Sequence, residues 1–480
     1  MILVLLILIP LIAGALSFAL KGDGAKGLAL VSTIATMAAS AYVSASNFSA
    51  PITFDAEWIP TLGARFSLLA DGVSSMLCLL TGIVMMVVMI SQINKDTDNA
   101  GSFYGLMLLA QAGLMGVFLA SDALLFYVFW EVALIPVYFL CSQWGGEKRI
   151  VVTFKFFVYT FLGSLMMLAG LIFLYLKTPG SGSYAWADIV KAGSSLAPEQ
   201  QNGLFWLIFI AFAIKMPIFP FHTWQPDAYE QSPTPVTIIL SALMVKMGMF
   251  AVLRWLMPTL PAGVAYWSDT VVILSVIGII YASCLAIVQT DIKRLIAYSS
   301  IAHMGLMCAA AFAHNSVGIH GLIVQMFNHG INITGMWLIV SMIEHRWGTR
   351  DMTKLGGMAS SAPQMAVAML IISFANIALP LTNGFIGEFM MFNGLFQGMI
   401  SNHTVMTVLA GLGVILGAVY TLNMVQKTAY GEKTEMIVAK DLSLNEYLGL
   451  GVIITLIIFL GVYPKPLLDL TAGVAQVMAR

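Results

Sequence analysis

Four ionisable side chains lie in the middle of long apolar segments. Glu131 lies in DALLFYVFWEVALIPVYFLC, Lys215 in LFWLIFIAFAIKMPIFPFHTW, Lys246 in VTIILSALMVKMGMFAVLRWLM and Glu388 in LPLTNGFIGEF. Each such charge at the centre of a membrane helix costs about 2.5–3.5 kcal/mol on insertion scales. A low-dielectric interior favours neutral lysine and glutamate, whereas a nearby opposite charge favours their ionised forms. We therefore interpret the four as a proton path; ion pairs that only fix helix packing are the alternative.

Three histidines accompany these groups. His303 in SSIAHMG and His329 in QMFNHGINITG lie within apolar spans, and imidazole titrates in the range that suits a proton relay. A role in helix packing is the main alternative. Haem ligation is disfavoured. Paired b-type haems generally need two facing histidines at one depth on separate helices, often with a second such pair, and each of these two spans has only one mid-span histidine. His222, in FHTWQPDAYEQSPTP, is expected to shape a broken-helix loop or a funnel into the membrane.

The composition indicates a membrane protein. Only 9% of the 480 residues are charged, against roughly 25% in soluble domains, and 59% are hydrophobic. The net charge of −1 gives no basic surface for nucleic acid. The four cysteines stand singly in apolar runs, without CxxC or a Cys/His cluster, so we predict no metal site and no cofactor-binding site in this chain.

Apolar runs of the roughly 20 residues that cross a bilayer predict an all-α integral membrane protein with about fourteen transmembrane helices. The first is interpreted as a retained helix rather than a cleaved signal. Asp71, Asp122 and Asp291 precede spans and are predicted to be helix N-caps. The runs fall at about 1–20, 27–46, 67–92, 103–120, 122–141, 153–176, 204–221, 236–257, 268–290, 295–313, 316–343, 364–399, 404–426 and 445–470.

Two of these spans are predicted to be broken. Pro217 and Pro220 follow Lys215, and Pro380, Asn383 and Gly384 precede Glu388. Proline removes a backbone donor, and irregular backbone within a membrane is tolerated where it lines a polar cavity. Interrupted helices in corresponding halves are typical of inverted-repeat transporters with a path at the midplane.

A faint internal similarity supports such repeats. SDALLFYVFWE (121–131) and TDIKRLIAYSS (290–300) each open a span with an aspartate in second place. We predict two inverted five-helix repeats with an antiporter-like fold. The division is N-terminal helices 1–3 in 1–102, the first repeat in 103–257, the second in 258–427, and helix 14 in 428–480.

The basic residues predict the orientation of the chain. With an external N-terminus the odd-numbered loops face the cytoplasm, and they hold thirteen of the 22 Lys and Arg residues, as the positive-inside rule requires. Both termini are therefore predicted to be external. The thirteen are Lys21, Lys26, Lys95, Lys148, Arg149, Lys293, Arg294, Arg346, Arg350, Lys354, Lys427, Lys433 and Lys440. The opposite side has Arg65, Lys177, Lys191, Arg254, Lys465 and Arg480.

Seven motifs, in order, resemble the M-type antiporter-like subunits of respiratory NADH:quinone oxidoreductase (complex I). They are FWEVALIPVYFL, WGGEKR, KFFVYT, KMPIFPFHTWQPDAYEQSPTPV, TDIKRLIAYSSIAHMGL, NHGINITG and NGFIGEF. The resemblance covers essentially residues 1–470. Glu388 stands where the sister L and N chains typically carry Lys, which favours the M type.

The resemblance implies a non-redox subunit of a proton-translocating enzyme of the bacterial inner membrane, with both termini periplasmic. It implies Glu131 as coupling carboxylate, Lys215 as its partner, Lys246 as central relay and Glu388 as exit group, with His303 and His329 in the connecting polar axis. NADH, flavin, iron–sulfur clusters and quinone are then expected in partner subunits, and L-type and N-type chains are the expected neighbours.

Two other functions remain open. An Mrp-type cation/proton antiporter or membrane-bound hydrogenase subunit shares these motifs, and a transporter of an organic solute would need a substrate pocket instead. One departure from the pattern is that no His lies near Tyr229, where related chains lead us to expect one.

Overall fold

The computed structural model of the chain describes residues 1–47, 50–180, 182–432 and 440–478. The protein is predominantly helical. Lys433 and Arg480, which entered the count of basic residues, lie outside the described residues.

The helices are numbered in chain order. They are α1 (Ile2–Ser17), α2 (Gly22–Ser46), α3 (Gly72–Gln92), α4 (Ala100–Leu119), α5 (Ala123–Trp144), α6 (Arg149–Tyr175), α7 (Trp186–Ser194), α8 (Pro198–Lys215), α9 (Gln225–Gln231), α10 (Thr234–Ile238), α11 (Val245–Ala251), α12 (Met257–Thr259), α13 (Pro261–Ile287), α14 (Ile292–Ala311), α15 (Ser316–Trp347), α16 (Met358–Ser361), α17 (Pro363–Asn376), α18 (Asn383–Phe396), α19 (His403–Ala429), α20 (Leu444–Val462) and α21 (Lys465–Met478).

Within the described ranges, nine helices are long and apolar enough to cross a membrane. One of them, Thr234–Thr259, comprises α10, α11 and α12 joined by two π-helical segments, Ile239–Met244 and Val252–Leu256. We call it the central helix, because its apolar window is entirely buried within the protein. The hydrophobic pattern predicted this helix but not its π turns, because an apolar run does not distinguish i→i+5 from i→i+4 hydrogen bonding.

A β-hairpin modifies the all-α prediction. β1 (Ile52–Ile59) pairs antiparallel with β2 (Ala64–Ala70), and Gly63 adopts the left-handed conformation in the connecting turn. Arg65 forms an ion pair with Asp55 across the strands. The prediction of a helical span beginning at 67 is therefore wrong at its start, since strand continues to Ala70 and α3 begins at Gly72.

Both predicted helix breaks are confirmed. α8 ends at Lys215, directly before Met216 and Pro217, and the chain re-enters helix at Gln225. α17 ends at Asn376 and α18 begins at Asn383.

The predicted N-caps are also confirmed. Asp71 accepts hydrogen bonds from the amides of Val73 and Ser74 at the start of α3. Asp122 does the same for α5, and Asp291 accepts from the amide of Arg294 in α14. A side chain at this position satisfies donors that a helix leaves unpaired.

The last predicted span is two helices rather than one. α20 ends at Val462, and Pro464 precedes the separate helix α21. α21 packs against α3 and α15. Helix α7, between α6 and α8, was not predicted, because at nine residues it is too short to give a clear span signal.

Candidate functional site

Lys215 lies at the carboxyl end of α8 with its side chain almost fully buried. Its Nζ is 5.5 Å from the centre of the Trp130 ring and has no hydrogen-bond partner among the described residues. A cation at a helix carboxyl end and over an indole face is electrostatically favoured. Glu131, next to Trp130 on α5, faces Ser164 of α6. Its Oε1 is also buried, and it has no hydrogen-bond partner in the described ranges.

The two lysines stand on helices that touch through their backbones. A Cβ placed on Gly248 of the central helix would lie 2.8 Å from the Phe212 carbonyl oxygen and 3.0 Å from the Met216 amide nitrogen. Gly248 is two residues from Lys246, and Met216 follows Lys215. No direct contact between the two amines is seen in the described residues, so transfer between them needs an intermediate group or water.

Lys246 contacts a histidine directly. Its side chain is fully buried, and its Nζ donates to the Ser241 carbonyl at 2.9 Å and lies 2.7 Å from Nδ1 of His329. Two protonation states fit this contact: ammonium donating to imidazole, or imidazolium N–H donating to amine. The contact can therefore pass a proton in either direction.

Two further side chains, His303 and Glu388, extend the series that begins with Lys246 and His329. We call these four residues the line. The rings of His329 and His303 lie 5.3 Å apart between centres. Nε2 of His303 is 3.4 Å from Oε1 of Glu388 and 3.0 Å from the Asn376 carbonyl, and Nδ1 is 2.8 Å from the Ser299 carbonyl. Both ring nitrogens of His303 thus face oxygen acceptors, an arrangement that suits a doubly protonated imidazolium beside a carboxylate.

The second helix break supplies part of this site. At the end of α17, Nδ2 of Asn332 on α15 donates to the Ala375 carbonyl at 3.1 Å, beside the backbone bond from Ala378. At the start of α18, Nδ2 of Asn328 donates to the Asn383 carbonyl at 2.7 Å. Irregular backbone is tolerated in a membrane under this condition, that its polar groups are satisfied within the protein.

A cavity of about 40 Å³ adjoins the Glu388 end of the line. Its polar lining comes from His303, Asn376, Glu388 and Tyr420. A water needs about 10–15 Å³ of such space and two to four polar partners. The cavity can therefore hold water that bridges the carboxylate to its surroundings.

His222 lies apart from this line. Its ring packs against Phe219, with centres 5.7 Å apart, and against Tyr281 at 5.3 Å. Its Nδ1 is buried and has no hydrogen-bond partner in the part of the chain that the structure describes. No contact in the described residues joins it to Lys246 or His303. The part of the chain that the structure describes also contains no cluster of three His, Cys, Asp or Glu residues that could hold a metal ion.

Several residues of the site were not singled out from the sequence. Ser299 of α14 accepts hydrogen bonds from Tyr420 at 3.0 Å and from Asn376 at 3.3 Å, and so joins α14, α17 and α19 around the cavity. Trp130 and Asn332 were likewise missed. Asn332 did leave a signal, because Asn328, His329 and Asn332 form a polar cluster within an otherwise apolar span.

Comparisons with known proteins agree with this geometry. The family model described as "NADH:quinone oxidoreductase/Mrp antiporter, TM" matches residues 120–416. NADH-quinone oxidoreductase subunit M of Rickettsia typhi is 37% identical over 92% of this chain and 89% of its own length. The Escherichia coli subunit M is 33% identical over 97% of this chain and 95% of its own.

A solved structure gives the same result for the whole fold. A chain of respiratory complex I from Thermus thermophilus superposes with a TM-score of 0.90 at 28% identity, with all of both chains covered. The chain therefore belongs to the NADH:quinone oxidoreductase/Mrp antiporter family of membrane proteins, among the M-type subunits.

Proposed function

We propose that this chain is a proton-translocating membrane-arm subunit of a bacterial NADH:quinone oxidoreductase. The observation that carries the proposal is the series of buried or nearly buried titratable groups Lys246, His329, His303 and Glu388, in which each lies beside the next. Four such groups in succession have no evident use in packing alone, given what each costs in an apolar medium.

In the proposed mechanism, a change in the Glu131–Lys215 pair sets the proton affinity of Lys215, which exchanges a proton with Lys246. Lys246 then passes a proton from Nζ to Nδ1 of His329. His303 first gives its Nε2 proton to Glu388, and the vacated Nε2 of His303 then accepts the proton that the His329 imidazolium releases from its own Nε2. Glu388 stores the proton beside the cavity before release. His222 belongs to the funnel that supplies the path.

The proposal includes partners and cofactors. The relatives named as NADH-quinone oxidoreductase subunit M support assembly with other complex I subunits. The proposed neighbours among these are L-type and N-type chains. NADH, flavin, iron–sulfur clusters and quinone are held by other subunits, so this chain performs no redox chemistry itself. An Mrp-type antiporter is the alternative that shares the family.

The proposed topology has fourteen spans in the bacterial inner membrane with both termini periplasmic. The two inverted repeats comprise 103–257 and 258–427. The positions of the two broken segments support this division, because each lies beside one relay residue and precedes a long helix: the central helix in the first half and α19 in the second.

The decisive test is Lys246→Ala in the assembled complex in proteoliposomes, with proton translocation and NADH oxidation measured together. We expect fewer protons per NADH, or slower oxidation in parallel if the two are tightly coupled, because removing a proton-transfer group typically slows transfer by about 10²–10⁴-fold. Lys215→Ala is expected to act in the same way.

Lys191→Ala is the matched control, since Lys191 is exposed on α7. Wild-type translocation and oxidation in the Lys246→Ala complex would refute the proposed path. Loss of both activities with failed assembly is distinguished by the content of co-purifying subunits, and Lys246→Arg, which retains the charge, then provides the assembled variant for the measurement.

A further inference from the structure

Eight charged residues outside the relay form one connected ion network. The four basic members are Lys155, Lys293, Arg294 and Arg350, and the four acidic members are Asp227, Glu230, Asp291 and Glu344. Their formal charges balance. The network is thus not a basic or acidic patch for a charged partner, and its use has to be sought inside the protein.

Arg294, near the start of α14, connects the network to α9. Its Nη1 lies 2.7 Å from Glu230 and 3.1 Å from Asp227, both on α9. Asp227 also accepts from Lys155 of α6 at 2.9 Å. These side chains are only about a quarter to a third exposed, so solvent screens them less than fully exposed pairs.

A second arginine extends the network to α15. Arg350 lies 3.0 Å from Asp291, the N-cap of α14, and its Nη1 donates to the Glu230 carbonyl at 3.1 Å. It also lies 3.7 Å from Glu344 of α15. Glu344 in turn pairs with Lys293 at 3.2 Å. The N-terminus of α14 is thereby fixed to the end of α15.

The network contacts α9, the segment that connects α8, which carries Lys215, to the central helix, which carries Lys246. α9 is seven residues long and lies between the end of α8 at Lys215 and the start of the central helix. A helix of this length is not stable by itself, so its position depends on its contacts. On the inner face of α9, Tyr229 is fully buried and its ring lies 5.8 Å from that of Trp337 of α15. Apolar packing on this face and the ion network on the other therefore together hold α9 in place.

We propose that this network is a positioning device for the relay: through Arg294 it holds α9, and with α9 the two lysine helices, against the helices that carry His303 and His329. The Lys246–His329 contact joins the same two groups of helices, since Lys246 lies on the central helix, which follows α9, and His329 lies on α15. Proton transfer is sensitive to such placement, since a displacement of about 1 Å can slow a reaction by about 10²-fold. The inference rests on the proposed function.

Arg294→Gln and Arg294→Lys in the assembled complex test this. We expect the Gln variant to speed hydrogen exchange of the α9 amides on the order of tenfold, because two charge-assisted hydrogen bonds are lost. We also expect proton-coupled turnover to fall on the order of tenfold. The Lys variant should recover part of both, since it restores the charge but not the guanidinium fork that bridges two carboxylates.

Lys354→Gln is the matched control, because Lys354 is 72% exposed and pairs with its neighbour Asp351 at 3.9 Å. Unchanged exchange in α9, or faster exchange with wild-type turnover, would each overturn the inference. An effect of Lys246→Ala without any effect of Arg294→Gln removes the positioning role and leaves the proposed function intact. No effect of either removes both.

Discussion

At the scale of single residues, His329 is the group on which the line depends. Its Nδ1 contacts Lys246, and its ring is the neighbour of His303. His329→Ala removes this link and leaves Lys246 with one described acceptor, the Ser241 carbonyl. We expect proton translocation through this subunit to slow by about 10²-fold or more, as for loss of other proton-transfer groups.

His345→Ala is the control for this variant, because His345 lies on the same helix and is exposed. The measurement is the ratio of protons translocated to NADH oxidised in proteoliposomes. An unchanged ratio at the wild-type oxidation rate would show that protons bypass His329.

The sequence singled out the four charges because each lies within an apolar segment. The free-energy cost of placing a charge there can be judged without a structure. It placed His303 and His329 in spans, yet could not show that one bonds Lys246 and the other faces Glu388. Helical spacing fixes neighbours within one helix, whereas these contacts join α14, α15, α18 and the central helix. Residues such as Ser299, which are chemically ordinary, acquire their role only from that packing.

At the scale of elements, α15 and α18 approach closely because glycines face each other. A Cβ placed on Gly394 of α18 would meet the backbone of Gly318 of α15. Gly394→Ala must therefore separate the helices that carry His329 and Glu388. We expect a loss of about 1–3 kcal/mol of stability, as for other overpacked sites, and a lower thermal midpoint of the purified complex.

Gly411→Ala provides the comparison, because a Cβ at Gly411 of α19 would meet nothing within 4 Å. Alanine is favoured over glycine in a helix by about 1 kcal/mol, so this variant should melt at or above the wild-type temperature. Equal thermal midpoints for the two variants would mean that α15 and α18 can move apart without a loss of stability.

Helix breaks and helix caps were predictable where a single residue type gives a strong local signal. Proline beside Lys215 predicted the first break, and aspartates before apolar runs predicted the caps. The hairpin was missed because its strands adjoin an apolar helix and the hydrophobic run continues across the boundary at Gly72. The π turns were missed because an apolar run is compatible with i→i+4 and with i→i+5 hydrogen bonding alike.

At the scale of the whole molecule, the ion pairs agree with the predicted assignment of loops to two opposite sides of the membrane. Lys26 pairs with Asp96, and Arg294 with Glu230, each between loops assigned to the same side. On the opposite side, Arg254 pairs with Asp71. Pairs that join a loop of one face to a loop of the other would contradict the predicted helix count, since one missed span inverts every loop that follows it.

The orientation itself can be measured with single cysteines. Of the four native cysteines only Cys284 is exposed, so Cys284→Ser gives a background of low reactivity. Lys148→Cys and Lys191→Cys then place thiols at exposed positions on the faces predicted to be cytoplasmic and periplasmic. In inside-out membrane vesicles, an impermeant maleimide should label the first directly and the second only after permeabilisation. The reverse pattern would place both termini in the cytoplasm, and equal labelling of the two in sealed vesicles would show that an odd number of spans does not separate them.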